Sequence, residues 1–257
     1  GKVFKVSFNQ NPFNEKNELI NFDESKKYVM KKFKDIRMKY ILREIGFQNS
    51  LNHPFIMDLS AWVGFYKTYE HGRIKFSPRL VMPLAELGTL EKCVKENFDQ
   101  WSQTEKYKLI YSICRSIWFL HKLNVFHRDI KPINILIMKD KTPRIADFGF
   151  TKMKENNDEN SISFKAASFL APESYTMKSS YPADVFSLSL CLYEIFECES
   201  VTKYFCKKMK GKIAKASTVY SKLQNRPLFT EKTPDIWIKM ISSMWCVEPL
   251  KRVTMDY

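Results

Sequence analysis

Apolar and polar residues alternate over Lys2-Val3-Phe4-Lys5-Val6, the period of two expected of a half-buried strand. Residues 9–24 then turn polar, rich in Asn and Glu, and read as a surface loop. Tyr28-Val29-Met30-Lys31-Lys32-Phe33 is a second strand with one lysine, Lys31, on its apolar face and Lys32 on the opposite face. From Met38 to Ser50 the period becomes helical, and the amphipathic helix carries Glu44 before ending at Leu51-Asn52-His53-Pro54. Arg79 to Leu90 predicts a strand, a linker and the start of another helix. Between Ser102 and Lys122, Tyr107, Ile110, Tyr111, Ile113, Cys114, Ile117, Trp118 and Leu120 recur at helical spacing, predicting a long, mostly buried helix whose aromatics are core. Ile135-Leu136-Ile137 reads as a short buried strand, and Ala183 to Phe196 as an apolar helix.

Composition narrows this only a little. A chain of 257 residues allows one large domain or two lobes sharing a cleft. It is 44% hydrophobic, yet no apolar run approaches the roughly 20 residues of a membrane helix, so a soluble protein is expected. The opening residues carry no secretory pattern. Cysteines 93, 114, 191, 198, 206 and 246 are scattered without zinc-site spacing, which suits free thiols in a reducing compartment, the cytoplasm or the nucleus. The net charge of +14, with the run Lys207, Lys208, Lys210, Lys212 and Lys215, raises nucleic acid or an acidic membrane as partners. No aromatic residues interleave the lysines as a stacking surface would require, and a solvated lysine-rich face is the better reading.

The chemistry concentrates in Phe126-His127-Arg128-Asp129-Ile130-Lys131-Pro132-Ile133-Asn134. In an extended loop pinned by Pro132, Asp129, Lys131 and Asn134 can converge. A carboxylate to accept a hydroxyl proton, an ammonium for phosphate charge and an amide oxygen for Mg²⁺ are what phosphoryl transfer to a hydroxyl needs. Asp147-Phe148-Gly149, following the short strand Arg144-Ile145-Ala146, adds a second carboxylate for a metal.

In this order and spacing the two stretches resemble the H-R-D and D-F-G signatures of eukaryotic protein kinases, and the resemblance extends over the whole chain. It implies a bilobal α+β fold: a β-rich lobe over residues 1–82, a hinge over 83–86 and a helical lobe over 87–257, with ATP and Mg²⁺ in the cleft and a protein as substrate. Gly1 and Val3 match the end of the glycine-rich loop, whose earlier glycines would lie upstream, and the last helix is expected to be cut short. Lys31, paired with Glu44, would hold the ATP phosphates, with Val29, Met82, Leu136 and the Pro83 and Ala85 backbone around the adenine. Pro83 keeps the carbonyl that adenine's amino group needs. Asn134 and Asp147 would bind the metal. His127, Arg128, Phe148, Gly149, Glu173 of Ala171-Pro172-Glu173, Asp184 and Arg252 fall at structural positions, Glu173 and Arg252 as a buried ion pair and Asp184 as a cap on catalytic-loop amides. The tryptophan-bearing tail, Trp245 to Arg252, has a tyrosine-kinase-like flavour, whereas Lys131 matches the Ser/Thr form.

Three departures bear on activity. Ala166 replaces the threonine that bridges the catalytic Asp and Lys, Val29 replaces an alanine above the adenine, and Gln48 falls where an aliphatic residue normally stacks near Phe148. An active Ser/Thr kinase is the first reading, and a pseudokinase scaffold the second. Arg128 is expected to lack a partner unless an anion reaches it, which makes Ser161 and Ser163 candidate phosphorylation sites.

Overall fold

A computed structural model describes residues 2–6, 27–33, 38–68, 74–96, 98–154, 168–175, 180–208 and 226–255. Gly1, Ser161, Ser163, Ala166, the 9–24 loop and the lysines from 210 onward in the basic run lie outside them. The elements are β1 (Lys2–Val6), β2 (Tyr28–Lys32), α1 (Met38–Ser50), β3 (Ala61–Thr68), β4 (Ile74–Pro83), β5 (Gly88–Thr89), α2 (Leu90–Glu96), α3 (Gln103–Lys122), β6 (Val125–Phe126), β7 (Ile135–Ile137), β8 (Pro143–Ile145), β9 (Lys152–Met153), α4 (Tyr181–Glu197), α5 (Val201–Lys208) and α6 (Asp235–Met244). The arrangement is bilobal: a β-rich lobe with one helix precedes a helical lobe.

The first lobe is an antiparallel sheet in the order β1-β2-β4-β3. Its register places Lys31 opposite Val3 on one side and Leu80 on the other, and Val29 opposite Met82. The sheet therefore carries Lys31, Val29 and Met82 side by side. α1 presents Ile41, Glu44 and Gln48 inward at a spacing of three and four, so Glu44 and Gln48 lie one turn apart on the buried face.

The second lobe is organised on α4, where every residue from Asp184 to Glu197 is buried. A helix apolar all round needs neighbours on every side. α3, α5 and α6 supply them, and the resulting core includes Ile113, Ile117, Leu120, Leu188, Leu192 and Ile195. α4 begins at Tyr181, two residues before its expected start, because Pro182 fits a first turn where its missing N–H is no loss. α3 starts on a capping box: Ser102 Oγ accepts from Glu105 N (3.3 Å) and Glu105 Oε2 from Ser102 N (2.8 Å). The expectation that its aromatics are core fails for Tyr107 and Tyr111, which are 40% and 63% exposed. The face turned to the core is Leu109, Ile110, Ile113, Ile117 and Leu120, and Tyr107 stacks on Trp237 at 5.9 Å.

α4 also buries Glu194, whose Oε1 accepts from Val201 N (2.8 Å) at the start of α5. Burial pushes this carboxyl up from 4.5 to about 7. A folded-state pKa above the unfolded value means that the group's contribution is fully present below pH 4.5 and is lost as pH rises through 7. Glu194→Gln keeps the acceptor and removes the titration. Chemical denaturation of both proteins between pH 5 and 8 is expected to show the wild type losing on the order of 3 kcal/mol relative to the variant. A constant difference across that range would contradict the assignment.

Candidate active site

The loop after β6 is fixed through its backbone. Both oxygens of buried Asp184, in the first turn of α4, accept loop amides: Oδ2 from His127 N (2.9 Å) and Oδ1 from Arg128 N (2.8 Å). Oδ2 also meets His121 Nε2 at 3.1 Å. Burial would raise the Asp184 carboxyl, but the His121 bond and charge more than offset it and hold it below the usual range. Arg128 sits at φ 69°, a left-handed conformation that a non-glycine residue holds only when its surroundings enforce it. The two Asp184 bonds supply that enforcement. The buried His127 ring accepts from Asp129 N at Nδ1 (3.3 Å), meets the Ala146 carbonyl at Nε2 (3.3 Å), and packs edge-on against Phe148 at 5.0 Å.

On this frame the three predicted groups meet. Lys131 Nζ donates to both Asp129 oxygens at 2.7 Å, and Asn134 Nδ2 donates to Asp129 O (2.8 Å) and Oδ2 (2.9 Å). Burial pushes the Asp129 carboxyl above its ordinary range against the pull of Lys131. The short 3-10 turn Pro132–Asn134 provides the convergence, with Asn134 N bonded to Lys131 O at 2.9 Å.

A second cluster faces it. Lys31 Nζ lies 2.5 Å from Glu44 Oε1 and 3.3 Å from Asp147 Oδ1. Burial lowers the Lys31 pKa, but the two carboxylates outweigh it and leave it raised. Burial likewise pushes Glu44 up, to about 7, against Lys31. At Asp147 the effect of burial is outweighed by Lys31, and the carboxyl stays below its ordinary range. Asp147 occupies φ 70°, a second left-handed non-glycine residue beside the cleft. Phe148 is fully buried behind it. An added Cβ at Gly149 would meet Asp147 Oδ1 and Tyr40 O at 3.6 Å, ordinary contact, so space does not dictate that glycine.

Between the sheet and the loop, Val29, Met57, Met82 and Ala146 form an apolar cluster against which Leu59, Leu84, Leu136 and Met138 pack. Val3 is exposed on the neighbouring strand. In the linker after Pro83, Leu84 N bonds Lys27 O (2.7 Å), and the Ala85 carbonyl accepts from Gly88 N (3.1 Å), which occupies one of its lone pairs. Gln48 Nε2 reaches Met57 O (3.3 Å) and Met82 Sδ (3.6 Å), while its buried Oε1 has no partner among the described residues. Below the site, Arg252 and Glu173 form a bidentate pair (2.5 and 2.9 Å), as expected.

One expectation is corrected. Arg128 is not without a partner, because its Nη1 donates to the Phe150 carbonyl at 3.2 Å; Ser161 and Ser163, the serines expected to bring an anion to it, lie outside the described residues. Sequence reasoning also missed His121, whose only signal was an imidazole in the last turn of the helix feeding the loop.

Residues 14–257 match the family model described as "Protein kinase domain". Three proteins of Acanthamoeba polyphaga mimivirus, named as serine/threonine-protein kinase/receptors, are 27–28% identical over 90% of this chain, which spans 13% of each. An Aurora kinase of Candida glabrata is 27% identical over 76% of the chain and 50% of its own length. An inactive tyrosine-protein kinase of Caenorhabditis elegans is 31% identical over 69% of the chain and 20% of its own length. The chain belongs to the protein kinase domain family, and its cleft is that of a protein kinase.

Proposed function

We propose that the chain transfers the γ-phosphate of ATP to serine or threonine hydroxyls of protein substrates. The supporting observation is that all six polar groups singled out by motif converge in two clusters, Asp129 with Lys131 and Asn134, and Lys31 with Glu44 and Asp147. Buried charge has a desolvation penalty, and catalysis is the usual reason to assemble it in a cleft. In this reading Asp129 orients the substrate hydroxyl and accepts its proton, and Lys131 moves from Asp129 toward the transferring phosphoryl group. Lys31, positioned by Glu44, holds the non-transferred phosphates, and Val29, Met82 and Leu136 enclose the adenine beside the 83–86 hinge between lobes 1–82 and 87–257. The free thiols at Cys93, Cys114, Cys191, Cys198 and Cys246 support action in the cytoplasm or nucleus.

The donor set suits Mg²⁺. Asn134 commits its amide nitrogen to Asp129, which leaves Oδ1 as a hard oxygen, and Asp147 offers a carboxylate kept ionised by Lys31. Mg²⁺, when bound, would supply positive charge that offsets that of the phosphates. Asp147→Asn should therefore weaken Mg·ATP binding by roughly tenfold or more, about 1.4 kcal/mol. Calorimetric titration checks this, and unchanged affinity would remove Asp147 from the metal site.

The second reading, a pseudokinase scaffold, is favoured by the buried Oε1 of Gln48, which has no partner among the described residues, and by one relative whose name includes "inactive". A Mg·ATP thermal shift combined with phosphorylation of a Ser/Thr peptide mixture separates the two. Nucleotide binding without transfer would favour the scaffold.

A further inference from the structure

The outward face of α3 differs from that of a helix left to water. At alternating steps of three and four, Lys108, Tyr111, Arg115 and Trp118 form one row, the spacing along which a second helix packs. Lys108, Tyr111 and Arg115 are exposed and Trp118 is half-buried. At 1.5 Å per residue the row is about 15 Å long. A solvated face usually mixes both signs of charge. Here α3 carries no carboxylate after Glu105, and Glu105 is paired with Lys141. The Arg115 guanidinium lies over the Trp118 ring at 4.4 Å. Such stacking restricts the rotamers of an arginine while leaving the N–H groups at its edge for bidentate bonds. The neighbouring charges have the same sign. His53, stacked on Phe119 of the same helix at 4.6 Å, is held below its ordinary pKa by burial first and then by the charges of Arg115 and Arg144. Asp58, on that side, is engaged by Arg144 at 3.3 Å. Lys122 extends the row, 5.8 Å from the Trp118 ring, but it is already engaged by another partner and stays outside the contact.

We infer that this row docks an acidic amphipathic helix of a partner protein, with carboxylates seven residues apart meeting Lys108 and Arg115 and an apolar side chain between them seated on Tyr111 and Trp118. Arginine, tyrosine and tryptophan are the residue types that dominate binding energy at protein interfaces. The charge pattern fixes the sign of the partner, and the spacing fixes its repeat. A single-stranded nucleic acid would need aromatic faces for its bases, and Arg115 already covers the Trp118 ring. A carboxylate needs only the edge of the guanidinium. Three helical turns bury less than the roughly 800 Å² per partner of a standard interface, so the contact is transient, with a Kd on the order of 10 µM. Docking here does not depend on the kinase reading.

The test titrates the purified chain against a fluorescein-labelled, alanine-based peptide of three heptads, with glutamate at the first position of each and leucine at the fourth. A scramble of the same composition is the control, and anisotropy is the readout. Saturable binding of the patterned peptide is expected, at least about fivefold tighter than the scramble. Arg115→Glu should weaken it by about tenfold or more and Tyr111→Ala by about fivefold. Lys203→Glu, at an exposed position on α5, changes the net charge as Arg115→Glu does and should leave affinity within about twofold. Lys108→Glu serves as a second reversal if Arg115→Glu melts early. The same peptide with lysine for glutamate should bind Lys108→Glu/Arg115→Glu more tightly than wild type. No saturable binding, equal affinity for the scramble, or a loss in Lys203→Glu as large as in Arg115→Glu would each overturn the site. Tighter binding of an oligouridine or of phosphatidylserine vesicles, lost in the Tyr111 and Arg115 variants, would assign the row to that ligand and overturn the helix.

Discussion

Asp129→Asn is expected to lower kcat by about 10³-fold while leaving nucleotide affinity within a few fold. The substitution preserves shape and the possibility of hydrogen bonds to Lys131 and Asn134, both of which now converge on this carboxylate. It removes the one group in the cluster able to accept a hydroxyl proton. Burial already raises the Asp129 carboxyl, bringing its basicity closer to the working pH than that of a free aspartate. In the proposed reading nucleotide affinity is spared, because holding the non-transferred phosphates and the metal falls to Lys31, Asn134 and Asp147 and not to Asp129. Steady-state assays with ATP titrated at saturating peptide separate the two parameters. Turnover comparable to wild type in the variant would defeat the assignment of Asp129 as the base, and a matching collapse of ATP affinity would mean that Asp129 acts as a ligand and not as a base.

Much of this cleft was legible in the chain because its groups are local in sequence. Asp129, Lys131 and Asn134 lie within six residues, and a turn pinned by proline brings them together without help from distant parts. Strand alternation was enough to place Lys31 inward, toward Glu44 and Asp147. Glu44, Asp184 and Arg252 were reachable only through resemblance, since nothing in their neighbourhoods names a partner 13, 57 or 79 residues away. What stayed hidden involves backbone partners and dihedral angles. The Phe150 carbonyl that accepts from Arg128 and the left-handed φ of Asp147 have no signature in side-chain order. Tyr107 and Tyr111 misled for a different reason. Tyrosine scores with the apolar residues, yet its hydroxyl lets it sit at a surface, and the way β6, β8 and α4 pack on α3 decides which side of it is covered. Gln48 was flagged as an irregularity, but its contacts with Met57 and Met82 depend on how α1 meets the sheet.

Arg252→Met should be the most destabilising single change among the described residues. The guanidinium is fully buried and makes five hydrogen bonds: to both Glu173 oxygens, and to the carbonyls of Cys246 (2.7 Å), Pro182 (2.9 Å) and Val247 (3.2 Å). It also lies over the Phe186 ring at 4.8 Å, which ties the segment after α6 to α4. Methionine matches the apolar stem but leaves the Glu173 carboxylate buried and unpaired, and such a loss typically amounts to ~3–5 kcal/mol. Against a total stability of ~5–15 kcal/mol this is a large fraction, equivalent to a fall in Tm of about 10 °C for a chain of this size. Arg252→Lys should recover little, because an ammonium cannot span both carboxylate oxygens and three carbonyls. The discriminating case is the double variant Glu173→Gln/Arg252→Met. Removing the stranded charge should restore a substantial part of the loss, since the penalty arises from an uncompensated buried ion and not from the absence of a net favourable pair. Urea unfolding of these three variants and of Glu173→Gln alone, beside wild type, measures these terms. Additive losses in the double variant would show that Arg252 stabilises the lobe through its carbonyl contacts alone, with the ion pair contributing nothing.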